Sequence, residues 1–160
     1  MNIVIRDLQE EDVARLAEIE AEAFSMPWSE KDFRDLLSRS YCTYVVALAD
    51  GEIIGCCGYT NSCGVANIDN VVVAPGFRGR GAAQAMLREL LARGEAAGVE
   101  AYTLEVRVSN AAAVHVYEKL GFVSEGIRPG FYEKPKEDAN IMWRRNGAAL
   151  GQQNTQPKSS

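Results

Sequence analysis

Arg78-Gly79-Arg80-Gly81-Ala82-Ala83-Gln84 follows the branched apolar run Val71-Val72-Val73 and the breaker Pro75, and leads into the helical pattern Ala85-Met86-Leu87-Arg88-Glu89-Leu90-Leu91. Strand, glycine-rich loop and helix start, in that order, offer backbone N–H groups and the positive end of a helix to an anion. Gly79, Gly81, Ala82 and Ala83 carry little or no side chain, so a ligand can come close to the backbone. Arg78 and Arg80 add charge-assisted hydrogen bonding suited to phosphate. The segment therefore reads as a loop for a phosphate-bearing ligand; an ordinary strand-to-helix connection with exposed arginines is the alternative. A triphosphatase loop is excluded because its closing Lys-Ser/Thr is missing. A dinucleotide fingerprint fails at Gln84, where its third glycine would stand.

A second group of residues could move protons. In Tyr102-Thr103-Leu104-Glu105-Val106-Arg107-Val108 the alternation of a strand puts Leu104, Val106 and Val108 on one face, and Glu105 with Arg107 on the other. A carboxylate in mid-strand between apolar neighbours suits a general base; a solvent-facing Glu105–Arg107 pair is the alternative. Tyr117, spaced with Ala113 and Leu120 on a helix, is by periodicity a core aromatic. His115 is the only histidine and falls two helical positions from Tyr117, toward the opposite side of the helix. Cys56-Cys57 has no adjoining cation to lower a thiol pKa, which argues against an acyl-cysteine intermediate.

These residues need elements to carry them. Ile3 to Arg6 reads as a first strand, and Glu10, Glu11 and Asp12 as the acidic first turn of a helix running to Phe24. Met26-Pro27-Trp28 breaks that helix; Ser29 with Asp32 resembles a capping box and opens a second helix through Leu37. Thr43–Leu48, Glu52–Thr60 and Ala66–Val73 are strands joined by hairpin turns at Asp50-Gly51 and Ser62-Cys63-Gly64. A helix from about Gly81 to Ala97, the strand containing Glu105, a helix from Asn110 to Lys119 and a final hairpin complete the order β-α-α-β-β-β-α-β-α-β-β. The fold class is α/β of mixed α+β character, a central mixed sheet flanked by about four helices. A single domain is expected over residues 1–145, with a disordered polar tail at 146–160.

Bulk properties narrow the partners. With 47% hydrophobic and 24% charged residues, the 160-residue chain has ordinary globular composition. A net charge of −5 speaks against nucleic acid and suits a cationic partner such as an amine or a basic polypeptide. No membrane span or signal peptide is expected. Cys42, Cys56, Cys57 and Cys63 read as buried free thiols of a cytoplasmic protein, without disulfide framework or metal site.

Arg78-x-x-Gly81-x-Ala83 resembles the acyl-coenzyme A loop of the GCN5-related N-acetyltransferase (GNAT) superfamily, and the element order resembles its fold along residues 1 to about 145. Leu104-Glu105-Val106-Arg107-x-Ser109-Asn110-Ala111-Ala112-Ala113, Val116-Tyr117-Glu118-x-Leu120-Gly121-Phe122, Pro27-Trp28-Ser29-Glu30-Lys31 and Glu137-Asp138-Ala139-x-Ile141-Met142 are similar to the bacterial ribosomal-protein-alanine N-acetyltransferases within it. The resemblance implies transfer of acetyl from acetyl-coenzyme A, without a metal, to the N-terminal alanine of small-subunit ribosomal protein eighteen. It implies Glu105 as proton acceptor and Tyr117 as proton donor to the departing thiolate. It places acetyl-coenzyme A contacts on Val71, Val72, Val73, Gly79, Arg80, Gly81, Ala82, Ala83, Gln84 and Asn110, with Arg78 at the head of the loop, and acceptor contacts on Trp28 and Tyr132. A structural hairpin tyrosine is the alternative for Tyr132. Arg128-Pro129-Gly130-Phe131-Tyr132 departs from relatives, which carry an asparagine and two aromatics there. A small-molecule or lysine acceptor, or a non-catalytic acyl-coenzyme A module, are the rival readings.

Overall fold

The computed structural model describes residues 2–146. Its strands are β1 (Ile3–Asp7), β2 (Cys42–Ala49), β3 (Glu52–Ser62), β4 (Val65–Val73), β5 (Ala101–Arg107), β6 (Val123–Glu133) and β7 (Lys136–Arg145). The helices are α1 (Val13–Ala23), α2 (Glu30–Leu37), α3 (Ala82–Ala96) and α4 (Ala111–Lys119), with short 3-10 turns at Glu10–Asp12 and Pro75–Phe77. This is the expected order. The strands hydrogen-bond in the order β1-β2-β3-β4-β5-β7-β6 as one seven-stranded mixed sheet.

The chain forms two compact units, one of residues through Thr60 with Ile68–Ala92, the other of Asn61–Asn67 with residues from Arg93 onward. In the first, the hairpin between β2 and β3 turns through Asp50 and Gly51, both at positive φ, as a two-residue turn matched to strand twist requires. Leu16, Ile19, Phe33, Val46 and Cys56 build the core on one face of this part of the sheet. Ser29 and Asp32 exchange backbone N–H and side-chain oxygen bonds to start α2, as their spacing predicts.

In the second unit, β5 pairs in parallel with β4 at Val65–Ala101, Ala66–Tyr102 and Asn67–Thr103, and antiparallel with β7 from Ala101–Arg145 to Arg107–Ala139. Tyr102 is fully buried, and a Cβ built on Gly94 of α3 would collide with its hydroxyl. Arg144 ties the end of α4 to β7 by donating from Nε to the Leu120 carbonyl at 2.7 Å.

Four local expectations change. The first helix starts at Val13, because the Asp12 carboxylate is engaged elsewhere: Arg6 grips it at 2.8 and 2.9 Å and the Gln9 N–H donates to it at 2.8 Å. Cys63 is exposed, since it sits at φ 51 in the turn between β3 and β4. Val108 is 45% exposed because β5 ends one residue before it. Asn146, assigned to the tail, is buried and donates to the Val99 carbonyl at 2.9 Å. The remaining tail, 147–160, lies outside the described residues. Among those described, no helix is long and apolar enough to cross a membrane.

The Gly94–Tyr102 contact predicts that Gly94→Ala lowers stability by about 1–3 kcal/mol, the usual cost of overpacking. Tyr102→Phe in the same background should recover part of the loss in a thermal melt; an unchanged Tm for Gly94→Ala would contradict the packing.

Candidate active site

The phosphate-loop residues all lie in the first unit. After Pro75–Phe77 the chain passes through Arg78, Gly79, Arg80 and Gly81, all exposed, with the glycines at φ 76 and 85. Side chains other than glycine rarely adopt that conformation, so the two glycines let the loop turn into α3. The first helical bond within the turn is from the Ala85 N–H to the Gly81 carbonyl at 3.0 Å, which leaves the N–H groups of Ala82, Ala83 and Gln84 ahead of the helical ladder. Ala82 is buried, while Ala83 and Gln84 are half-buried. Arg78 folds back and donates from Nε to the Val73 carbonyl at 3.2 Å. The Arg80 guanidinium stands 5.8 Å from the Phe77 ring centre.

Just upstream, Asn70 sits at φ 55 within β4, between the three residues paired with β5 and the run Val71–Val73. Val72 is buried, with Val71 and Val73 half-buried on either side.

The second unit carries the proton-moving candidates. On β5 the burial alternates as predicted: Tyr102, Leu104 and Val106 are buried, Thr103, Glu105 and Arg107 half-buried. The Glu105–Arg107 pair, the alternative to a general-base role, does not form among the described residues. Arg107 donates to the Pro135 carbonyl at 2.8 Å, the Lys134 carbonyl at 3.2 Å and Glu137 at 3.1 Å, and its guanidinium lies 4.4 Å from the Tyr132 ring centre. Glu137 also accepts the Ser109 N–H at 2.7 Å; the Ser109 side chain first, then this N–H and Arg107, hold its carboxyl below the ordinary value. Arg107 is thus committed to the turn between β6 and β7. Among the described residues Glu105 makes no hydrogen bond or ion pair.

Tyr132 joins this group. Burial first, and then the charge of Glu105, push its phenol above the ordinary value, against the pull of Arg107. A phenol so shifted stays protonated at neutral pH and can donate a hydrogen bond. Asn110 caps α4, its Oδ1 accepting the Ala113 N–H at 3.2 Å. Tyr117 is buried on the same helix, its ring 5.8 Å from Phe122. His115 is exposed.

Trp28, the other expected acceptor residue, lies in the first unit against the core. Its ring packs 5.4 Å from Phe33 and 6.0 Å from Tyr44. Tyr44 in turn lies over Gly58 and donates its hydroxyl to Asp69. Burial raises the Cys56 and Cys57 thiols, so neither offers a thiolate at neutral pH.

Sequence reading missed Glu20. This α1 carboxyl is completely buried; Oε1 accepts the Trp28 N–H at 3.0 Å, while Oε2 has no hydrogen-bond partner. Burial raises its pKa to about 7, opposed by the Trp28 N–H and the Asn70 amide. The signal was a carboxylate four residues from Leu16 and next to Ile19, on the apolar face of its helix.

A sequence profile of the Acetyltransferase (GNAT) family matches residues 13–122. The chain belongs to that family. It is an N-acetyltransferase. It is 34% identical over 140 residues to the [Ribosomal protein bS18]-alanine N-acetyltransferase of Escherichia coli K12, covering 86% of this chain and 94% of that protein. It is 34% identical over 153 residues to the N-alpha-acetyltransferase RimI of Mycobacterium tuberculosis, covering 91% and 94%. The crystal structure of the ribosomal-protein-S18-alanine N-acetyltransferase from Escherichia coli superposes with a TM-score of 0.83 at 31% identity, over 92% of this chain and 97% of that one.

The buried Glu20 makes a pH prediction. Its folded pKa of about 7 lies above the ordinary 4.5, so between those values the native state holds a proton that the unfolded chain has released. Stability at this site is therefore full below pH 4.5 and lost as pH rises toward 7. Glu20→Gln should gain on the native protein across that window, by up to about 3 kcal/mol at pH 8 in urea unfolding. Parallel stability curves for the two proteins would contradict the assignment.

Proposed function

We propose that this acetyltransferase takes acetyl from acetyl-coenzyme A and places it on the N-terminal α-amine of a protein in the cytoplasm, its acceptor being the N-terminal alanine of small-subunit ribosomal protein bS18. The reading is carried by the near full-length likeness to proteins bearing that activity, joined to a carboxylate on β5 left without a cation. Acetyl-coenzyme A is held by the backbone of Val71, Val72 and Val73, by the exposed loop Arg78-Gly79-Arg80-Gly81, by the leading N–H groups of Ala82, Ala83 and Gln84, and by Asn110. The N–H groups and arginines suit the pyrophosphate.

The acceptor arrives as an ammonium, since a free α-amino group titrates near 7.7–8.0. Glu105 takes its proton, through a water molecule. The neutral nitrogen attacks the thioester carbonyl carbon, a C–N bond forms and the C–S bond breaks, and Tyr117 gives its proton to the thiolate; the nitrogen's second proton passes through water to restore the Tyr117 phenol, and the proton on Glu105 returns to solvent. Tyr132 and Trp28 orient the acceptor, Tyr132 as a protonated donor beside Glu105.

The test is coenzyme A release with a peptide beginning in alanine. Glu105→Gln should lower kcat by about 10²–10⁴-fold, the range for loss of a general base. An unchanged kcat and pH profile would remove Glu105 from the chemistry. Tyr117→Phe should lower kcat more than it weakens acetyl-coenzyme A binding. Weakened binding at full kcat would reduce Tyr117 to a packing residue.

A further inference from the structure

The loop joining α1 to α2 is unusual in being apolar outside and polar beneath. Phe24 and Met26 are 41% and 62% exposed, next to Pro27 and Trp28. Exposed apolar side chains grouped on a short loop mark a contact surface more often than a folding requirement. Such a surface is useful only if the loop keeps one conformation.

Two anchors fix it, and both lead to β4. The Trp28 N–H is held by Glu20 Oε1 at 3.0 Å, and the Trp28 ring rests against Tyr44, whose hydroxyl donates to Asp69. The next β4 residue, Asn70, approaches Glu20 closely enough for its amide to oppose the carboxyl's raised pKa. Glu20 Oε2 and Asn70 Nδ2 are both buried without a hydrogen-bond partner. Asn70 is also the residue at φ 55, directly ahead of Val71–Val73. A buried carboxyl is costly, and leucine would pack at this helical position without that cost. Neither the fold of α1 nor the core requires a carboxyl here.

We propose that Glu20 is a positioning residue for acceptor capture: by holding the Trp28 backbone and standing against Asn70, it fixes the loop from Phe24 to Ser29 as the wall on which the acceptor's first residues pack. This rests on the protein-acceptor reading above. Oε1 accepts the Trp28 N–H whether or not the group carries a proton, so the grip persists across neutral pH.

Steady-state kinetics with acetyl-coenzyme A and an alanine-first peptide separates the possibilities, using the native protein, Glu20→Asp and Glu20→Gln. Aspartate, one methylene short, loses the Trp28 bond, and the peptide KM should rise about tenfold, as for loss of a buried hydrogen bond. The KM for acetyl-coenzyme A should stay within about twofold, because only the acceptor side has lost binding. Glutamine keeps an amide oxygen for the Trp28 N–H and should restore the peptide KM. If both KM values rise together, or if Tm falls while the peptide KM stays put, Glu20 is structural only and the proposal fails. If the native protein acetylates no α-amine at all, the protein-acceptor reading fails and takes this role with it. Should Glu20→Asp not fold, Glu20→Leu removes the same hydrogen-bond acceptor while leaving Trp28 in place and must reproduce the selective rise in peptide KM; a normal KM there overturns the proposal.

Discussion

Parallel pairing between β4 and β5 stops after three residue pairs, short of Val71–Val73. A ladder continued along β4 would use up one backbone edge of Val71–Val73. Asn70, in a left-handed conformation that few side chains other than Asn or Gly adopt, breaks the regular extension of β4 just past the last pair. Downstream, the strand runs through Pro75–Phe77 into two glycines at positive φ and the start of α3. The backbone N–H groups of Ala82, Ala83 and Gln84 are orphans of helix geometry, and the loop glycines keep side chains away from them.

In the second unit the governing constraint is where Arg107 goes. Two backbone carbonyls and Glu137 engage its guanidinium, which also lies over Tyr132. Glu137 itself is held by the Ser109 N–H at the end of β5. The arginine two residues along the same face therefore does not neutralise Glu105. A carboxylate free of ion pairs and half-buried can exchange a proton during a reaction, whereas one locked in a bidentate pair cannot do so without breaking it.

Much of this was legible locally. The turn pair Asp50-Gly51, the Ser29–Asp32 capping box and the alternation along β5 are set by near neighbours in the chain, so spacing alone foretells them. The loop at Arg78–Gln84 was visible for the same reason. What escaped depends on partners far along the chain. Asp12 looked like an exposed helix-start charge until Arg6 of β1 claimed it. Glu20 went unremarked on α1, because only packing buries it beneath Trp28 and beside Asn70. The Tyr44–Asp69 bond crosses from β2 to β4 over the bare backbone of Gly58, a distance no periodicity reports. The choice of Arg107 between Glu105 and Glu137 depended on the register of β5 against β7. Polar groups are placed by tertiary contacts, and that is where the local pattern ran out.

Mass spectrometry of the acetylated product tests the central claim most directly, using three acceptors: a peptide beginning in alanine, its N-terminally blocked twin, and a peptide whose only free amine is an internal lysine. Acetyl gain on the free α-amine alone is the predicted result. Acetylation of the lysine peptide, or of none of the three, would contradict N-terminal transfer while leaving the acetyltransferase fold in place.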